Sequence, residues 1–300
     1  SEMCIRDRRI RASWGADELS LYGRFDFILA KDGTPKILEF NADTPTSLLE
    51  ASVIQWQWKE DVFPECDQFN GIHEGLVQSW KDIFPKKGEI HFAGALENNE
   101  DTGTLQYLAS TAMEVGFSTR VLDMQALDLQ NGRFFDPAGE LVNRCFKLYP
   151  WEWMVDESPD GCLAEMEWLE PIWKLVMSNK AILATLYELF PDSPYVLPCY
   201  LSRPRSGLFC KKPVFSREGH NVSVVDIRDW EEYVRIAETE GDYNTGAYVY
   251  QEYVEPTAYS GRYPVIGSWI IGGEAAGIGI RENRMEVTDN LSEFVPHIIG

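Results

Sequence analysis

Two short segments, RFDFILA (residues 24–30) and PKILEFNA (35–42), alternate polar and apolar residues across the turn-forming stretch Lys31-Asp32-Gly33-Thr34-Pro35. Period-two alternation marks strands, and an Asp-Gly between two such runs marks a hairpin. This pairing constrains the chain more than any other feature. With Asp32-Gly33 at the turn centre, Asp26 faces Glu39 and Arg24 faces Asn41. Residues two apart share a face, so all four side chains project from one side of the sheet. Two carboxylates directly opposed are destabilising unless something compensates. Magnesium is one compensator, because it takes hard oxygen ligands from one or two carboxylates plus substrate phosphates. Asn41 would add a neutral oxygen, and Arg24 would orient a carboxylate or an anionic substrate group. A solvated face with an ordinary Arg–carboxylate pair is the other reading, and register alone leaves both open.

The rest of the chain reads as α/β (α+β). Asp43-Thr44-Pro45-Thr46 caps a helical run, SLLEASVIQWQWKEDVF, and a second helix is expected over His73–Phe84. GEIHFAGALEN is a buried strand, TGTLQYLASTAMEVGF an amphipathic helix and STRVLDMQAL a strand with its exit, which is an α/β order. NGRFFDPAGELV is a turn-rich hairpin, Pro150–Pro171 a helix with loops, and SNKAILATLYELF a helix closed by prolines. From Gly207 onward the chain alternates as strands, with one helix expected at DWEEYVRIAET (residues 229–239). The clearest boundaries fall near Gly88 and Leu201.

Composition narrows the function classes. At 300 residues and 44% hydrophobic the chain can bury a sizeable core, and no stretch approaches the roughly 18 apolar residues of a membrane span. A net charge of −21 disfavours nucleic acid and anionic membrane surfaces, and it permits, without showing, a cationic substrate such as a polyamine. Six cysteines without a CxxC pair and four histidines give neither a disulfide framework nor a zinc site, and fit reduced thiols in a cytoplasmic protein. Residues 1–8, SEMCIRDR, lack the apolar run of a signal peptide and are expected to be a non-native leader, with a native N-terminal segment missing.

A second group of residues lies downstream. Lys180 opens the helix in SNKAIL, and Lys212 sits in LFCKKPVF just before the polar loop that contains Arg217 and Gly219. Strand lysines beside exposed loop amides are one way to hold a triphosphate. The strand YVYQEYV, with Gln251 and Tyr253, suits an adenine edge, and Arg281 at the end of AAGIGIRE could stabilise charge on a transferred group. Each feature alone also suits an ordinary surface. Their order along one chain carries the weight.

That order, on GRFDF, LEFNADTPTSLLEA, FKLYPWE, SNKAIL, KKPVFSREGHN, YQEYV and GIGIREN, resembles the synthetase domain of the glutathionylspermidine synthase family, a circularly permuted ATP-grasp fold. The resemblance runs through nearly all of the chain after residue 20 and is similar to a stand-alone branch that lacks the amidase domain. It implies an ATP-grasp-like fold with nucleotide bound between two subdomains. Residues 9–87 would carry the metal-binding hairpin and core helices, 88–150 a pre-ATP-grasp α/β subdomain, and 151–300 the ATP-binding subdomain with the return to the core. It further implies magnesium on Asp26, Glu39 and Asn41, and ATP on Lys180, Lys212, Arg217, Gly219, Gln251 and Tyr253. Arg281 and Arg24 would act near the reacting groups, and Arg24, Thr44, Thr46, Glu100 and Asp101 on the substrates. The implied activity is an ATP- and magnesium-dependent ligase joining a peptide-type carboxylate to an amine or polyamine through an acyl phosphate. A catalytically idle nucleotide-binding module that regulates or scaffolds is the alternative, and metal-assisted hydrolysis without nucleotide would leave Lys180 and Lys212 unexplained.

Overall fold

The computed structural model describes residues 2–217, 219–229, 233–241, 246–284 and 292–300. Four sheets organise them. The hairpin forms as its alternation predicts, from Tyr22–Leu29 and Pro35–Asn41, and it is one side of a five-stranded antiparallel sheet. The other three strands, Tyr263–Ile271, Glu274–Asn283 and Glu293–Val295, come from the far end of the sequence, with Tyr263–Ile271 paired to Tyr22–Leu29. A second antiparallel sheet runs in the order Cys199–Tyr200, Tyr248–Glu252, Gly207–Pro213, Ser223–Ile227, Tyr233–Glu238. Between these segments in sequence lies a parallel sheet of Ser118–Asp123, Glu89–Gly94, Arg144–Leu148 and Glu167–Leu169, with the helix Asn99–Glu114 as its crossover. A small antiparallel sheet of Asp128–Gln130, Arg133–Phe135 and Leu141–Val142 is appended to it.

Most expected elements form close to their expected bounds. The helix at His73–Phe84 spans Ile72–Ile83, and the run after Thr46 becomes a π-helical turn, Glu50–Ile54, continuing into the α-helix Gln55–Val62. The helix expected at 229–239 does not form: residues 230–232 lie outside the described set, and Tyr233–Glu238 is an exposed strand pairing with Ser223–Ile227. YVRIAE carries one aromatic and two β-branched residues, Tyr233, Val234 and Ile236, which suit a pleated edge better than a helix. The N-terminal helix Glu2–Gly15 runs through residue 8 without interruption. No helix among the described residues is long and apolar enough to cross a membrane.

One core joins the hairpin's sheet to the parallel sheet. Tyr22, Trp269 and Ile271 from the first meet Trp80, Phe92 and Phe146 around the second, all nearly or fully buried. Burying each such side chain stabilises by about 1.5–3 kcal/mol. Tyr22 shares its strand face with Arg24 and Asp26, so one face carries a sealed apolar end and a polar end that opens into a cavity.

Candidate active site

The register at the polar end is as the turn chemistry predicts: Arg24 pairs with Asn41 and Asp26 with Glu39. The route to it includes a bulge. Ala30 and Thr34 close a three-residue loop with Gly33 at φ +81°, and pairing nearest that loop is one residue out of step, with Phe27 opposite Ile37. Leu38 is the extra residue that restores the step. The bulge also turns carbonyls outward: Lys212 Nζ donates to Leu38 O at 3.1 Å, and Gln251 Nε2 donates to Ile37 O at 2.8 Å. Lys212 and Gln251 also hydrogen-bond each other at 2.7 Å. The irregularity that sets the site's register thereby fastens the second sheet to the first.

Asp26 is the centre of the cluster. Arg24 grips it at both oxygens, Nε to Oδ1 at 2.6 Å and Nη2 to Oδ2 at 3.0 Å, and Arg281 Nη2 donates to Oδ2 at 2.8 Å. Asn41 Nδ2 donates to both carboxylates, at 3.2 Å to Asp26 and 3.4 Å to Glu39. Arg24 also donates to the carbonyl of Thr46. Gly267 lies opposite Asp26, and a Cβ there would stand 2.7 Å from Arg24 Cδ, so glycine makes room for the guanidinium. Glu39 pairs with Lys180 Nζ at 3.0 Å, and that ammonium also donates to Ser216 O at 2.7 Å.

The protonation energetics follow from this crowding. Burial pushes the Glu39 carboxyl up, but Lys180 and Lys212 outweigh it and hold its pKa at about 2. Burial lowers the pKa of Lys212, with Glu39 acting in the opposite sense. Burial and the neighbouring Arg24 charge lower that of Arg281. For Arg24 burial acts downward as well, yet contact with Asp26 leaves the guanidinium above its ordinary value.

These residues line a cavity of about 460 Å³ between the two antiparallel sheets. Its floor holds Arg24, Asp26, Glu39, Asn41 and Arg281, and Lys180, Lys212 and Arg217 reach it from the other side. Arg217 crosses it, donating to Thr44 Oγ1 at 2.5 Å and Glu152 Oε1 at 2.9 Å and lying over the Trp153 ring. The far end is apolar, with Ile28, Leu38, Leu197 and Val265, and it meets Glu252–Val254. Tyr253 and Gly219 line the cavity, but the backbone N–H of Tyr253 is taken by Leu208 O and the Gln251 side chain by Lys212 and Ile37. Thr44, Thr46 and Glu100 reach the opposite end; Asp101, next along the helix from Glu100, is not among the lining residues. Sequence reasoning missed Glu50, which faces Glu100's end of the cavity, and Glu152. Glu152 follows the Tyr-Pro-Trp of FKLYPWE, and only its tertiary meeting with Arg217 distinguishes it from other surface glutamates.

Residues 6–300 match the family model described as glutathionylspermidine synthase preATP-grasp. The chain belongs to that family. It is 38% identical to a Haemophilus influenzae protein named an acid–amine ligase, over 98% of this chain and 78% of that protein. It is 28% identical to the trypanothione synthetase of Crithidia fasciculata and 26% identical to the bifunctional glutathionylspermidine synthetase/amidase of Escherichia coli, over 95% and 97% of this chain. It spans about half the length of each of those two, 48% and 51%. Among solved structures, a Methylobacillus flagellatus protein described as a gamma-glutamylcysteine synthetase superposes with a TM-score of 0.64 at 10% identity, covering 98% of this chain and 84% of that one. A glutathione synthetase-like effector of Globodera pallida gives 0.57, also at 10% identity, over 97% of this chain and 79% of that one. The family chain therefore has the mixed α/β, ATP-grasp-type fold its sequence resembles.

No group of three or more His, Cys, Asp or Glu side chains able to hold a metal occurs among the described residues. What is present is two adjacent carboxylates and an amide on one hairpin face, with cationic side chains beside them. That set fits magnesium, which accepts few protein oxygens and completes its shell with phosphate and water. It does not fit a metal that needs a full protein cage.

Proposed function

We propose that this family chain is an ATP- and magnesium-dependent acid–amine ligase, acting on a peptide-type carboxylate and an amine. One observation carries the reading. In a chain of net charge −21, five basic side chains, Arg24, Lys180, Lys212, Arg217 and Arg281, converge on one cavity, three of them paired with Asp26 or Glu39, while its other acidic lining residues are Glu50, Glu100 and Glu252. Such a convergence of cationic side chains suits a polyphosphate, and the apolar end of the cavity suits a base.

In this proposal the substrate carboxylate takes the terminal phosphoryl group of ATP, releasing ADP, and an amine nitrogen then displaces phosphate from the acyl carbon to leave the amide. Asp26, Glu39 and Asn41 would hold magnesium, which when bound neutralises phosphate charge. Lys180, Lys212 and Arg217 hold the phosphate chain. Arg281, tied to Asp26 and oriented by it, faces charge that develops at the reacting phosphoryl. Glu50 and Glu100, beyond Thr46, supply negative charge for a protonated amine before it loses its proton.

The test is ADP release with magnesium, a thiol tripeptide such as glutathione and a panel of amines. Release that requires both acceptors supports the ligase. Binding of ATP without release under any pair would identify an idle nucleotide-binding module instead.

A further inference from the structure

Behind the cavity, two ion pairs are sealed from water and both touch the ends of the hairpin. Lys147, fully buried, lies 2.6 Å from Asp43 Oδ1, while Asp43 Oδ2 accepts from Trp151 N at 2.9 Å. Glu170, also fully buried, accepts from the backbone N–H groups of Leu21 and Tyr22 at 3.0 and 3.1 Å and stands 3.2 Å from Lys174 Nζ. The Lys174 ammonium donates to Tyr22 O and to Ala42 O, each at 2.7 Å. Strand pairing in the hairpin stops at Arg24–Asn41. Tyr22 and Ala42 lie just past that last pair, so one ammonium spans the two strands where the ladder has ended.

Stability alone is a poor reason for this arrangement, since burying two charges costs several kcal/mol per ion and apolar pairs of the same size do as well or better. What an apolar pair cannot do is hold two carbonyls of different strands to one point. We infer that Lys174, held by Glu170, is a positioning residue: it fixes the separation of the two strands that carry Arg24 and Asp26 on one side and Glu39 and Asn41 on the other. Lys212 and Arg217 come from elements distant from it in sequence, whereas Lys180 follows the short helix that Lys174 begins.

The inference rests on the ligase reading for its kinetic test only, so the experiment has two arms. The variant is Glu170→Gln with Lys174→Met, which removes both charges and leaves neither buried alone. In hydrogen exchange, peptides covering 22–26 and 39–42 should lose protection by about tenfold while the turn end, 28–36, keeps it. In steady-state ADP release, kcat should fall by about ten- to a hundredfold with KM for ATP changed less than about threefold. If the double variant does not fold, Glu170→Gln alone, with Lys174 still on its carbonyls, should show the same pattern at smaller amplitude. Wild-type exchange at 22–26 and 39–42 in a folded variant overturns the inference. So does a uniform loss of protection across the hairpin with kcat and KM unchanged per folded molecule, which would make Lys174 structural only. A wild type that releases no ADP sinks the ligase reading and leaves the exchange arm to decide this one.

Discussion

Two groups of buried charges lie within a few residues of each other along the hairpin, and they obey opposite rules. In the sealed pairs, Lys147–Asp43 and Lys174–Glu170, each anion has one cation, and backbone groups take up much of the remaining bonding capacity. In the cavity cluster, Asp26 serves two guanidiniums, Glu39 is pulled by two lysines, and positive charge is left over. Sealed charges must be balanced internally because no solvent or ligand can do it. Charges at a cavity can remain unbalanced, and the sign of the imbalance says what kind of ligand would restore neutrality. The contrast thus separates charges that hold the fold from charges that face a reactant.

The largest expected effect falls on the sealed side. Asp43→Ala leaves Lys147 buried without its partner and should lower unfolding free energy by about 3–5 kcal/mol, measured by denaturant titration. Adding ATP with magnesium should not restore the difference between variant and wild type. A loss below about 1 kcal/mol would mean that Lys147 finds water or another partner, and the sealed description would fail.

On the open side, Asp26→Asn should lower ADP release by about 10²- to 10³-fold, because Arg281 loses its orienting partner and the floor loses one of two carboxylates. Its cost to stability should be smaller than that of Asp43→Ala, since asparagine keeps one oxygen for the buried Arg24 to donate to, and the Arg281 side chain keeps 24% of its surface exposed and can turn to water. Near-normal turnover in Asp26→Asn would show that the site has been placed wrongly.

Lys212→Met should weaken ATP binding by about 1.5–3 kcal/mol, seen by calorimetry, the worth of a charge-assisted contact. Stability should fall less than in Asp43→Ala, because the bonds to Leu38 O and Gln251 are lost while burial already disfavours this ammonium. A variant that binds ATP normally but unfolds easily would move Lys212 to the sealed class.

The hairpin cluster was legible because its determinants are local. Asp32-Gly33 sets the turn, period two sets the faces, and four residues fall together by counting. Even so, the count came out right through a compensation: the three-residue loop shifts the pairing by one and the bulge at Leu38 shifts it back. Nothing local announces that bulge. The sealed pairs were not legible at all, since Lys147, Glu170 and Lys174 meet the hairpin across more than 100 positions of sequence and look like ordinary surface charges in their own segments. Residues 233–238 extend as a strand, where the sequence predicts a helix, for a related reason. Their partner strand, Ser223–Ile227, decides that they extend, and helical spacing of a few apolar residues cannot show a partner.

The smallest effect tests the balance within the open cluster itself. Glu39 ionises with a pKa near 2 in the folded chain against an ordinary value of 4.5, through Lys180 and Lys212 and against the opposing effect of burial. A depressed carboxylate pKa gives stability that is fully present above the unfolded value and is lost as pH falls through the folded one. The loss assigned to Glu39 therefore falls between about pH 4.5 and about pH 2. Screening at this partly exposed side chain reduces it to about 1–2 kcal/mol. Glu39→Gln should remove that part of the acid-side slope and leave the curve above pH 5 parallel to wild type. Saturating ATP should shrink the difference further, because phosphate would then neutralise the same two lysines. If ATP leaves the acid-side difference untouched, Lys180 and Lys212 belong to Glu39 alone, and the cluster is balanced without a ligand.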